Sequence, residues 1–274
     1  MRLGIFARTF PGDAPGPVLD AVRAAGYACA QYNWACAGLP SMPDEVPPAA
    51  LAATRDAVAA SGVALCALSG TFNMIHPDPA VREAGLARLD TVLASAAALG
   101  IPLVTLCTGT RDPDDQWRAH RDNDSPAAWT DLMASMERAL ASAETHDVAL
   151  GVEPELANTV NTVDKAARLL AACGPRVRIV LDPANLFEVA NAKNRRRLVE
   201  RALDTLGPRI ALAHAKDRLP DGTFTTAGRG VIDWDHYLGA LRAAGFDGAL
   251  VTHGLDAAEA AGVARFLGER LARA

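Results

Sequence analysis

Short apolar runs alternate with longer segments of helical periodicity along the chain. Eight runs have the length and the Val, Ile, Leu and Ala content of buried strands: residues 2–8, 27–33, 63–69, 102–108, 148–154, 177–182, 209–215 and 249–253. Eight segments repeat apolar positions as helices do: residues 14–25, 48–61, 79–99, 126–146, 163–173, 194–206, 234–244 and 257–271. This alternation predicts βαβ units around a parallel sheet, and eight units favour an α/β fold of the closed (β/α)₈ TIM-barrel type.

The connecting segments differ in length at the two ends of the predicted barrel. Segments 70–78, 109–125 and 217–233 follow strands and are long and polar, whereas the connections from helix to strand are only a few residues long. Loops after strands build the active-site face of a (β/α)₈ barrel, so we expect function there. No linker or repeat divides the chain, and residues 1–274 are expected to form one barrel domain. No G-x-G-x-x-G follows the first strand, which disfavours a dinucleotide-binding fold.

Composition and charge narrow the range of partners. The net charge is −5, and nucleic-acid binding usually requires a basic face. No apolar run approaches the roughly 18 residues of a membrane span, and the N-terminal run lacks a signal-peptide pattern. Five cysteines without paired spacing indicate reduced thiols. We therefore expect a cytoplasmic protein with a small-molecule substrate and with no nucleic-acid or membrane partner; a homo-oligomer is left open.

Four consecutive predicted strands end on residue types that bind metals. These residues are Glu153, Asp182, His214 and His253. A closed barrel would bring the four strand ends to one mouth, where two carboxylates and two imidazoles could hold one divalent cation. Burying two carboxylates without a cation would cost several kcal/mol each. The mixed oxygen and nitrogen donors suit Mn²⁺, and also Mg²⁺, Co²⁺ or Zn²⁺.

Each of these residues also has a purely structural interpretation. Asp182 precedes Pro183 and could cap a turn. Glu153 could be half of a buried ion pair, and both histidines could be hydrogen-bonded residues of the core. The metal interpretation rests on their joint position at successive strand ends.

Further polar residues near the predicted mouth are candidates for substrate contact. Glu155 lies two residues after Glu153, and Lys216 two after His214, so each pair shares one face of an extended strand. In the loop after the fourth strand, Trp could stack on a sugar ring and Arg could bind oxyanions; the alternative is a solvated loop. The candidates are His76, Arg111, Trp117, His120, Glu155, Asn185, Lys216 and Arg229.

Several motifs resemble one known superfamily. Glu153, LDPAN from Leu181, AHAKD from Ala213 and GRGVIDW from Gly228 occur in an order similar to that of the xylose-isomerase-like barrels. That superfamily includes sugar isomerases and epimerases, inosose dehydratases, hydroxypyruvate isomerase and endonuclease IV. The segments at 70–78, 106–120 and 151–158 are similar to members described as sugar phosphate isomerase/epimerase.

The resemblance implies a ligand set and one departure from it. Glu153, Asp182 and His214 would be ligands of Mn²⁺, Mg²⁺ or a similar ion. The fourth ligand of the epimerases is a glutamate that also transfers a proton, and His253 stands in its place here. An imidazole can bind a metal or carry a proton, but a symmetric mechanism with two glutamates does not follow.

The resulting hypothesis is a metal-dependent isomerase or epimerase that acts on a keto sugar or cyclitol through an enediolate. Glu153 is the first candidate for the base and His253 the second. One alternative is a lyase that uses the same enolisation, either an inosose dehydratase or a β-eliminase of 3-keto-glycosides. A non-catalytic metal-binding barrel is another. A nuclease like endonuclease IV is disfavoured, because Asn185 occupies the place of its second histidine.

Overall fold

The computed structural model describes residues 1–273, and its central feature is a closed barrel of eight parallel strands. The strands follow each other around the barrel in chain order, and the first pairs with the last. Their bounds are β1 Arg2–Phe6, β2 Cys29–Tyr32, β3 Ala64–Ser69, β4 Leu103–Cys107, β5 Ala149–Glu153, β6 Val177–Leu181, β7 Ile210–Ala215 and β10 Ala249–Thr252. The predicted (β/α)₈ TIM barrel is confirmed.

Eight α-helices surround the barrel within the described part of the chain. They are α1 Pro15–Ala24, α2 Pro48–Ser61, α3 Pro79–Ala98, α4 Pro126–Thr145, α5 Val163–Cys173, α6 Ala192–Leu206, α7 Trp234–Ala243 and α8 Ala257–Arg273. Polar side chains fix several helix starts: Asp78 caps α3 and Ser125 caps α4. Helix α6 begins two residues earlier than its periodicity predicts, because Asn191 caps it by accepting a hydrogen bond from the Asn194 N–H.

Inward-facing side chains fill the barrel interior, and the two layers nearest its carboxyl end bear on the site. The lower layer is small or apolar: Gly4, Cys29, Ala67, Leu103, Gly151, Val180, Leu212 and Val251. A methyl group on Gly4 would lie 2.8 Å from Cys29 Sγ, so only glycine fits there. The upper layer lies two residues further along each strand, on the same inward face. It is described below as the candidate site.

The loop after β7 folds around one buried aspartate. Strands β8 (Asp217–Arg218) and β9 (Phe224–Thr225) form a small antiparallel hairpin there. Asp217 accepts hydrogen bonds from the Trp234 indole and from backbone N–H groups, including that of Gly228 at 3.0 Å. The aspartate of AHAKD therefore anchors the GRGVIDW segment, which explains structurally why the two motifs occur together.

Two further observations concern the whole described chain. All five cysteines are free thiols. Between residues 1 and 273, no helix combines the length and apolar character needed to cross a membrane.

Candidate metal centre

The four predicted ligands converge at the carboxyl ends of their strands. Glu153 ends β5, Asp182 follows β6, His214 lies in β7 and His253 follows β10. One donor atom from each residue lies within 4.8 Å of the others. Two ligands on opposite sides of a divalent cation are roughly 4–5 Å apart, because each bond is about 2.0–2.6 Å long. The cluster therefore has the dimensions to hold one such cation.

The orientation of His214 leaves one ring nitrogen facing the cluster. Its Nε2 donates to Gln31 Oε1 at 2.9 Å, and Gln31 Nε2 donates in turn to Thr105 Oγ1 at 3.1 Å. With the ring proton on Nε2, the Nδ1 lone pair faces Glu153 Oε1 at 3.1 Å. Two facing lone pairs require a positive charge between them, either a proton or a cation. This pairing fits a metal ligand held by an outer hydrogen bond.

The two carboxylate oxygens of Asp182 have different roles, one in capping a turn and the other in the ligand cluster. Oδ1 accepts the Ala184 N–H at 2.9 Å and so caps the turn at Pro183–Asn185. Oδ2 faces His253 Nε2 at 3.0 Å and Lys216 Nζ at 3.5 Å. The turn-capping interpretation of Asp182 is thus correct for one oxygen, and the other remains available to a cation.

The electrostatic environment favours the protonation states that a metal requires. Burial would raise the pKa of Asp182, but Lys216 and His253 outweigh it and hold that pKa well below its usual range. Burial also opposes ionisation of Glu153, yet the neighbouring imidazoles lower the pKa of that carboxyl. Burial and the adjacent His214 lower the pKa of His253, which favours its neutral ring. Ionised carboxylates and a neutral imidazole are the metal-binding forms.

A cavity of about 460 Å³ opens above the cluster. Four of the eight residues predicted to contact substrate line it: Trp117, Glu155, Asn185 and Lys216. Asn185 Nδ2 donates to Glu153 Oε1 at 2.9 Å, while its buried Oδ1 has no hydrogen-bond partner among residues 1–273. A buried acceptor without a partner is uncommon, and a ligand hydroxyl in the cavity would satisfy it.

Glu155 places a third carboxylate in the cavity wall. Its Oε2 accepts hydrogen bonds from the Ala157 N–H at 2.9 Å and from Asn158 Nδ2 at 3.0 Å. Burial, aided by the nearby charge of Glu153, raises the pKa of Glu155 above its usual value. Glu155 therefore has a different environment from the two carboxylates of the cluster.

The other four predicted contact residues lie outside this cavity and hold loops together: His76, Arg111, His120 and Arg229. Both ring nitrogens of His76 bond backbone groups, one of them the Pro113 carbonyl at 3.0 Å. Arg111 forms an ion pair with Asp131 at 2.7 Å. His120 caps a short turn, and the Arg229 side chain is 66% exposed in a surface ion pair. His76 lines a neighbouring cavity, and the assignment of these four residues to substrate contact stays a prediction.

Several cavity residues were not singled out from the sequence. They include Phe6, Gln31, Ser69, Thr105, Gln116 and Phe224. Gln31 carries the one usable signal, since it is an amide at an inward position of an otherwise apolar strand. Phe224 stacks against Lys216 Nζ, 3.7 Å from the ring centre, and so depends on the hairpin fold.

Comparisons with known proteins agree with this architecture. A family model described as xylose isomerase-like TIM barrel matches residues 19–267, whereas no curated protein sequence matches. The chain is similar to the apo structure of 3-keto-D-glucoside 4-epimerase from E. coli, with 15% identity, a TM-score of 0.78 and coverage of 98% of this chain and 99% of that one. A structure of D-psicose 3-epimerase shares 20% identity, a TM-score of 0.75 and coverage of 98% and 97%. A structure of L-ribulose 3-epimerase shares 17% identity and a TM-score of 0.77, with coverage of 99% of this chain and 95% of that one. Because the family model spans most of its length, the chain belongs to the xylose isomerase-like TIM barrel family.

Proposed function

We propose that the protein is a metal-dependent isomerase or epimerase of a keto sugar or cyclitol. The observation that carries this proposal is the convergence of Glu153, Asp182, His214 and His253 beneath a cavity of sugar-binding size. Mn²⁺ suits this mixed donor set best, with Mg²⁺, Co²⁺ and Zn²⁺ as alternatives. The structurally similar proteins named above include three sugar epimerases, which supports a carbohydrate substrate.

The residues around the cluster suit enolisation. A bound divalent cation would polarise the substrate carbonyl and so acidify the neighbouring C–H bond. Glu153 is ionised and lies at the cavity floor, where its carboxylate removes that proton. Lys216 lines the same cavity, and its ammonium group stabilises the negative charge that develops on the enediolate oxygen. Asn185 Oδ1 accepts a substrate hydroxyl and orients the sugar.

The fate of the proton distinguishes the reaction classes. Return to the adjacent carbon gives isomerisation, and return to the opposite face of the same carbon gives epimerisation. His253 is our candidate for the second proton-transfer group. Loss of a β-substituent from the enediolate would give elimination. Elimination is therefore the second candidate reaction. It is favoured by the His253 imidazole, because an imidazole and the Glu153 carboxylate do not form the symmetric pair that two facing carboxylates would.

Deuterium wash-in from D₂O tests the shared step without knowledge of the product. Mn²⁺-loaded protein should exchange the α-proton of at least one member of a panel of ketoses, inososes and 3-keto-glycosides. NMR detects both the exchange and any isomer, epimer or elimination product. Metal binding without exchange across the whole panel would instead indicate a non-catalytic barrel.

Removing the His253 side chain distinguishes its two possible roles, as a metal ligand only or also as the proton donor. If His253 returns the proton, His253→Ala should block product formation while exchange at the first carbon persists in part. If His253 is only a ligand, exchange and product should fall in proportion to bound Mn²⁺. Calorimetric Mn²⁺ titration of the same variant supplies that occupancy.

A further inference from the structure

A second cavity lies beside the metal-centre cavity and shares a wall with it. Its volume is about 450 Å³, and Gln116 and Trp117 line both cavities. Phe72 and Val81 contribute to its other walls. Each cavity alone is within the roughly 300–1,000 Å³ range of small-molecule sites. The enolisation proposed above needs only the first, so the second is available to another part of a ligand that occupies the first.

The shared wall contains an exposed indole on an ordered loop. Trp117 is 53% exposed, although its backbone N–H is held by Asp115 Oδ1 at 2.9 Å. Asp112 fixes the preceding turn by accepting from the Asp114 and Asp115 N–H groups at 3.0 and 2.9 Å. The loop therefore positions a large flat apolar surface without burying it. Such a surface suits stacking of a sugar ring.

The charges around the second cavity disfavour an anionic group. Arg88 is paired with Asp44 at 2.7 Å, and Arg118, next to the cavity, is paired with Asp112 at 3.0 Å. Asp114 also lines the cavity and adds a carboxylate without a counterion in the described chain. A phosphate or carboxylate ligand would meet net negative charge, whereas hydroxyl groups would find acceptors.

We infer that the substrate carries a second, uncharged sugar ring, linked glycosidically to the ring that is enolised. This inference rests on the proposed function, because the keto ring lies over the metal centre. The linkage passes Trp117, and the second ring lies against the indole in the second cavity. Gln116 lines both cavities, and its side-chain amide makes no hydrogen bond within residues 1–273, so it is free to bind hydroxyls at the junction.

A matched pair of substrates tests this site. One is a 3-keto-hexose, and the other is the same ring linked through its anomeric oxygen to glucose. The Mn²⁺-loaded full chain should exchange the α-proton of the disaccharide with a kcat/KM about tenfold higher, the factor expected of one good stacking contact. A phosphorylated keto-hexose should gain no such advantage.

Filling the second cavity should erase the preference and leave the metal centre intact. Val81 lines only the second cavity and is 44% exposed, so Val81→Trp adds bulk there without disturbing the core. This variant should lose the disaccharide advantage and keep the monosaccharide kcat/KM. Val189→Trp is the control, because Val189 is 66% exposed and lines neither cavity. Trp117→Ala should also lose the preference, and Trp117→Phe should restore part of it.

Five outcomes would overturn the inference. Equal kcat/KM values for both substrates in the wild-type protein would reject the second-ring site and leave the proposed function intact. A preference that survives Val81→Trp, or a stronger preference for the phosphorylated sugar, would do the same. If Mn²⁺-loaded protein exchanges no proton in these substrates but does so in a ketose or inosose of the wider panel, only the second-ring site fails. If it exchanges no proton across the whole panel, the proposed function fails and the second-ring site fails with it.

Discussion

The two halves of the barrel mouth differ in charge. Strands β5, β6, β7 and β10 bring the four ionisable groups of the candidate metal centre. The corresponding inward positions of β1 to β4 bring uncharged side chains: Phe6, Gln31, Ser69 and Thr105. Even Cys107 at the end of β4 stays neutral, because burial and the nearby Glu153 charge raise the pKa of its thiol.

This asymmetry indicates that the two halves of one cavity have different roles, with the charged half suited to cation binding and the neutral half to orienting ligands. A cation needs charged ligands on one side, but a charged group opposite would compete for the cation or repel it. Neutral amides and hydroxyls can orient the ligands and bind sugar hydroxyls without changing the net charge. We therefore expect substitutions in the charged half to affect cation binding and proton transfer, and those in the neutral half to have smaller, indirect effects.

Metal removal should give the largest effect, because it removes the function of the whole charged half. Exhaustive chelation should abolish α-proton exchange, and Mn²⁺ or Co²⁺ should restore it. Exchange rates before and after dialysis, with the metal content measured in parallel, provide the test. Full activity in metal-free protein would reject the metal-centre assignment.

Glu153→Gln should have the next largest effect. The amide is nearly isosteric and its oxygen can still coordinate, so part of the Mn²⁺ binding should remain. The amide is not basic, and loss of a general base lowers rates by roughly 10²–10⁴-fold. Exchange rates at saturating Mn²⁺ measure this loss. Glu155→Gln, two residues further along the chain, is the matched control; if it has the larger effect, Glu155 is the base.

Substituting two buried aspartates at neighbouring strand ends should affect different properties of the protein: Mn²⁺ affinity in one case and folding stability in the other. Asp182→Asn can keep the turn cap but loses its charge, so Mn²⁺ affinity should fall by at least about 100-fold, beyond the range of an outer-shell partner. Asp217→Asn should instead lower the free energy of unfolding by about 1–3 kcal/mol, because buried N–H donors lose their acceptor. Calorimetric titration and denaturant unfolding measure the two effects. Equal loss of Mn²⁺ affinity in both variants would contradict the assignment.

The charged half of the site could be predicted from the sequence, and the neutral half, apart from Gln31, could not. Glu153 and His253 stand at the ends of apolar runs, where barrel topology alone implies convergence. Ser69 and Thr105 are ordinary strand residues, and only the closed barrel places them opposite the cluster. Loop residues were the least predictable. His76 and Trp117 both lie in long loops after strands, yet one is tied to backbone groups and the other faces the cavity.

The smallest effects should come from the hydrogen-bond chain in the neutral half. Gln31→Leu removes the acceptor that keeps the proton of His214 on Nε2. The ring can then rotate or shift its proton to Nδ1, so Mn²⁺ affinity should fall by about 10–100-fold, as is typical of an outer-shell partner.

Thr105 lies one hydrogen bond further from His214 than Gln31 does, so Thr105→Val should have a smaller effect than Gln31→Leu. It leaves Gln31 in place but removes the acceptor for its Nε2. The loss should be about 1 kcal/mol, which is less than tenfold in Mn²⁺ affinity. Calorimetric Mn²⁺ titration of the two variants and their double mutant measures the coupling, which should make the double mutant no weaker than Gln31→Leu alone. Additive losses would mean that the two residues act separately, and an unchanged affinity in Gln31→Leu would show that the neutral half does not position the ligands of the charged half.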